Sequence, residues 1–75
     1  MTLPYTIHKN MTTREARVVA LALGADVAEV RRTGEVRFFH PTAGRVVTSN
    51  RRKGACQPLV SWLRHLVTRL EEGTR

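Results

Sequence analysis

Hydrophobic positions along the chain change period twice, and the changes divide it into a helix, a set of strands and a second helix. Thr12 followed three residues later by Glu15 has the form of a capping box, in which each side chain bonds the other residue's backbone N–H. After it, Val18, Val19 and Ala22 recur at helical spacing and Leu21 and Leu23 widen the stripe, which predicts a helix over 13–23. Gly24 stands where a left-handed residue ends a helix, and Arg14 and Arg17 fall on the wet face. From Asp26 the period becomes two. Strands are predicted over 27–32, 36–40 and 45–50, joined by a Thr33-Gly34 turn and a turn from Pro41 to Gly44. With Val36, Phe38 and His40 facing the core, Val46 and Thr48 also point in. Arg37, Phe39, Arg45 and Val47 then point out, giving a basic outer face with one aromatic. After a loop over 50–57, Pro58 is placed to open a helix in which Leu59, Leu63, Leu66 and Leu70 form a regular apolar row, broadened by Val60, Trp62 and Val67 and ending near Gly73.

The expected fold class is therefore α+β, in the order α-β-β-β-α: a three-stranded antiparallel sheet with two helices packed on one face, the layout of a double-stranded-RNA-binding-domain-like sandwich. Ahead of it, Tyr5 and Ile7 alternate after Pro4, which suits a short edge strand or a pinned tail. Residues 1–11 are read as this N-terminal segment and residues 12–73 as a single domain. At 75 residues the chain buries only roughly 60% of its unfolded surface, so one small core must hold it.

Charge changes the picture. The segment from Arg31 to Lys53 holds seven of the thirteen Lys/Arg (Arg31, Arg32, Arg37, Arg45, Arg51, Arg52 and Lys53) but only one of the six acids, Glu35, so +6 of the formal +7 sits there. Such a concentration suits a polyanionic partner, nucleic acid first, because phosphates attract Lys/Arg patches regardless of base sequence. Phe39, between Arg37 and His40, either stacks on an unpaired base or packs under the N-terminal segment. The lone Cys56 cannot form an internal disulfide, no apolar run approaches the ~20 residues of a bilayer span, and the first residues lack a signal-peptide layout. A cytoplasmic protein with no membrane contact is expected.

Other chemistry is sparse. His8, His40, His65 and Cys56 show no metal-ligand spacing, so no metal and no cofactor is expected. His40 is the one weak catalytic candidate, a general base or phosphate donor, against the alternative of a partly buried hydrogen-bonding residue. Cys56 lies near Arg51, Arg52 and Lys53, a setting that lowers a thiol pKa, but no base partner accompanies it. Trp62 belongs either to the core or to a partner-protein anchor. Arg64, His65 and Arg69 make the exposed side of the second helix basic.

The run Arg32-Thr33-Gly34-Glu35-Val36-Arg37-Phe38-Phe39-His40-Pro41, followed by a valine-rich strand, a basic loop and a Pro-initiated leucine helix, resembles the small HicA-type toxins of bacterial toxin–antitoxin pairs. The similarity covers about residues 12–67. It implies a double-stranded-RNA-binding-domain-like fold and an RNA target. Members of that family are RNA-cleaving enzymes that rely on a histidine just after the turn glycine; here Glu35 takes that place, with Val36 beside it. The expected function is a small basic nucleic-acid-binding domain, RNA more than DNA, lacking ribonuclease activity. The phosphate contacts are expected from Arg31, Arg32, Arg37, Arg45, Arg51, Arg52 and Lys53, with Phe39 as the stacking residue. The alternatives are an active mRNA-cleaving toxin, a domain that binds an acidic protein partner, and a small DNA-binding regulator.

Overall fold

The computed structural model describes residues 3–49 and 57–73. Helix α1 runs Thr13–Ala22, strands β1, β2 and β3 run Asp26–Val30, Glu35–His40 and Gly44–Ser49, and helix α2 runs Gln57–Gly73. The strands form one antiparallel sheet in the order β1-β2-β3, with both helices on one face. This is the α-β-β-β-α fold expected from the hydrophobic pattern.

Helix α1 is defined at both ends by its own residues. The capping box forms: Thr12 Oγ1 accepts the Glu15 N–H at 3.2 Å, and Glu15 Oε1 accepts the Thr12 N–H at 3.0 Å. At the other end Gly24 takes φ +85, its N–H bonds the Leu21 carbonyl, and the Ala25 N–H reaches back to the Ala20 carbonyl at 2.9 Å. These paired bonds are a Schellman motif, which needs a left-handed residue at Gly24. The Thr12 backbone N–H, ahead of its hydroxyl, holds the Glu15 carboxyl below the ordinary carboxylate range. A depressed folded-state pKa means the contribution is complete above the unfolded value and is lost as pH falls through the folded one. Thr12→Ala is expected to lower stability by about 0.5–2 kcal/mol. The deficit of a Glu15→Ala variant, measured by thermal melting, should be present at neutral pH and close in acid; an equal deficit at both would contradict the cap.

The buried stripe of α1 differs from the predicted one. Ala16, Val19, Ala20 and Leu23 are buried at i, i+3, i+4 and i+7, while Val18 and Leu21 are 40% and 53% exposed and Ala22 is exposed. Two alanines carry the inward face, and their small side chains give little hydrophobic signal in the sequence. Arg14 and Arg17 are exposed, as expected. Helix α2 follows its predicted phase: Leu59, Val60, Trp62, Leu63 and Leu66 are buried, and Leu70 and Val67 are half-buried against them. It begins at Gln57, so Pro58 is its second residue, within the first turn. Gln57 Nε2 donates to the Lys9 carbonyl at 2.9 Å, tying the start of α2 to the N-terminal segment. That segment contains no strand among its described residues; Leu3 and Ile7 pack on the core, which makes it a pinned tail.

Strand boundaries also shift. β1 ends at Val30 rather than 32, and Arg31 and Arg32 lie in a four-residue turn in which the Val30 carbonyl accepts from both Thr33 (3.2 Å) and Gly34 (2.8 Å). β3 begins at Gly44 after a three-residue turn, whose Ala43 N–H bonds the His40 carbonyl. Gly34 and Gly44 close the two hairpins at φ +75, the left-handed closing residue that such turns favour. The register sets Val27, Phe38 and Val46 side by side, and likewise Glu29, Val36 and Thr48. This inner face meets the helices: Phe38 is fully buried, and its ring lies 6.1 Å from that of Trp62 at 58°. Trp62 is thus a core residue.

Candidate nucleic-acid interface

Among the described residues nothing covers the outer face of the sheet, and its residues fall into three rows fixed by register. Across β1, β2 and β3 the rows are Asp26–Phe39–Arg45, Ala28–Arg37–Val47 and Val30–Glu35–Ser49. Phe39 and Val47 are 46% and 45% exposed. Arg37 and Arg45 do point outward as expected, but so do Asp26 and Glu35. Two arginines and two acids cancel, so the expectation of a basic outer face is corrected to a neutral one with two exposed apolar side chains, Phe39 and Val47. Both acids reach the face because β1 and β2 each start one residue earlier than predicted, at Asp26 and Glu35.

Glu35 is also engaged. Its Oε2 accepts from Arg37 Nε at 2.8 Å and sits 2.7 Å from a terminal guanidinium nitrogen, two residues apart on one strand and hence on one face. With both side chains partly exposed the pair adds little stability. Its effect is to occupy the edge of Arg37 that a phosphate would take. Asp26 and Arg45, by contrast, form no ion pair among the described residues.

The uncompensated charge lies elsewhere. Arg31 and Arg32 are exposed in the first hairpin turn and have no ion pair among the described residues. Ser49 pairs with Glu35, so β3 ends at the same end of the sheet as that turn, two residues before Arg51-Arg52-Lys53. Arg51, Arg52, Lys53 and Cys56 lie outside the described residues.

His40 is half-buried at the far end of β2, with Nδ1 accepting the Thr42 N–H at 3.0 Å. That bond makes Nδ1 an acceptor and leaves the proton of a neutral ring on Nε2. On the helix side, a cleft of about 220 Å³ is lined by Thr13, Arg14, Arg17, Glu29 and Val36. It falls below the roughly 300–1,000 Å³ of small-molecule pockets, and Arg17 spans it to Glu29 at 3.5 Å. Among the described residues no group of three His, Cys, Asp or Glu could hold a metal ion, and no helix is long and apolar enough to cross a membrane. Arg64, His65 and Arg69 are exposed along α2.

No protein-family model, curated protein or solved structure matches the chain.

Proposed function

We propose that the chain is a small nucleic-acid-binding domain, for RNA rather than DNA, that grips phosphates from the turn end of its sheet. One observation carries this reading: the register puts the exposed Arg31-Arg32 turn and the exit of β3 toward Arg51-Arg52-Lys53 at one end. Five cations then belong to two stretches without an acid of their own, whereas Arg37 and Arg45 share their face with Glu35 and Asp26. The preference for RNA comes from the motif resemblance to HicA-type toxins. The same resemblance, with Glu35 in the histidine's place, argues against cleavage, since a carboxylate lacks the imidazole's two ring nitrogens and repels the phosphate it would have to approach.

Titration of labelled single-stranded RNA, duplex RNA and DNA at a series of salt concentrations tests this. If about three to five phosphates are neutralised, the log–log slope of affinity against salt should be about −2 to −3.5 for single strands, whatever their sequence. Absence of binding to every one of them at low salt would overturn the proposal and assign the basic end to an acidic protein.

A further inference from the structure

We propose that the outer face of the sheet is the contact surface for a second copy of this chain, with the two-fold axis running along β2 between two facing sheets. The inference stands apart from the nucleic-acid reading, because it concerns the opposite charge pattern: a face whose charges cancel rather than accumulate. A polyanion laid on this face would meet the Asp26 and Glu35 carboxylates as well as the two arginines. A copy of the same face meets complementary groups in its first row, Asp26 against Arg45.

The complementarity follows from the register. Rotation about an axis along β2 keeps each row opposite itself and exchanges β1 with β3. In the first row, Asp26 then faces Arg45 of the second copy and Arg45 faces Asp26, on either side of two opposed Phe39 rings. In the second row, Ala28 meets Val47 on both flanks. On the axis Arg37 faces Arg37 and, in the third row, Glu35 faces Glu35, but within each chain the two are paired with each other at 2.7–2.8 Å, so like charges are not left bare. Asp26 and Arg45 are the charged residues of this face that form no ion pair among the described residues, and they are the two that the rotation brings together. Phe39 and Val47, 46% and 45% exposed, supply apolar contact in the first two rows, around the central Arg37. Aligned packing of two sheets roughly 10 Å apart is a common arrangement.

Size sets the strength. Three strands about 4.8 Å apart and five or six residues long present roughly 250 Å² of sheet per copy. A standard interface buries about 800 Å² per partner. The dimer is therefore weak and forms only as protein concentration rises.

Sedimentation equilibrium from low micromolar to millimolar protein tests the proposal. The expected result is a mass rising from one chain toward two. Asp26→Arg and Arg45→Asp should each weaken self-association about tenfold, since each turns both cross-pairs from attraction to repulsion. An equimolar mixture of the two variants should associate again, because the first row then carries two arginines in one chain and two aspartates in the other, and both cross-pairs are attractive once more. Amide NMR shifts of the wild-type protein on dilution provide a readout that needs no variant, with changes expected at Asp26, Ala28, Phe39, Arg45 and Val47. A wild-type mass that stays at one chain throughout overturns the inference, as does a mixture that associates no better than its parts. Shifts on this face that respond to added oligonucleotide but not to protein concentration would overturn it too and assign the face to nucleic acid instead.

Discussion

Phe38→Ala should remove a large part of the domain's stability and move its urea midpoint well below that of the wild type. Phe38 is fully buried at the middle of the central strand, between Val27 and Val46 on the sheet and against Trp62 of α2. Truncating a buried phenylalanine costs about 3–5 kcal/mol, the lost transfer energy plus a cavity that rigid neighbours cannot close. A 75-residue domain at typical stability per residue has only about 4–11 kcal/mol to lose. Leu63→Ala, at a fully buried position in the Leu row of α2, should lose about 2–5 kcal/mol by the same mechanism. Circular dichroism against urea would show both; midpoints equal to wild type would mean that the sheet and α2 do not share one core.

Replacing Arg31 and Arg32 by Ala should weaken nucleic-acid binding at least about tenfold at moderate salt, for every sequence tested, and flatten the salt slope by roughly 1.4 for single strands. The fold should be indifferent, because both side chains are exposed in a turn held by backbone bonds to the Val30 carbonyl. Arg45→Ala serves as the comparison. It removes the same charge from a row that already contains Asp26, so its effect should be distinctly smaller. Equal losses from Arg45→Ala and from either single turn variant would show that the phosphates run over the sheet face rather than its turn end.

These two contrasts follow the line between what was legible in the sequence and what was not. Helix α2 was readable because its core positions are leucines, whose size and spacing give a strong periodic signal. Helix α1 was readable in extent, since its cap and Gly24 are chemically specific, but not in phase. Its inward residues include Ala16 and Ala20, and the bulkier Val18 and Leu21 drew the stripe toward the solvent side. The strands were found, yet their ends moved by one or two residues because Asp26, Glu35 and Gly44, which enter them, are residue types with little strand preference, and Arg31 and Arg32 leave β1 for the turn. That small shift decided the electrostatics. Moving Arg31 and Arg32 into the turn and Asp26 and Glu35 into the strands separates the charge from the sheet, and alternation alone cannot show it without register.

The two hairpin connections, four and three residues long, also set how the chain reaches this arrangement. Each strand pairing closes a short loop, and the entropy of loop closure grows with the length enclosed. The packing of α1 on α2, by contrast, joins segments from opposite ends of the chain. A meander of neighbouring strands therefore closes only short loops, while the helix pair closes a long one. Because most contacts are local in sequence, folding is expected to be quick for a mixed α and β domain, a rate that stopped-flow refolding would measure.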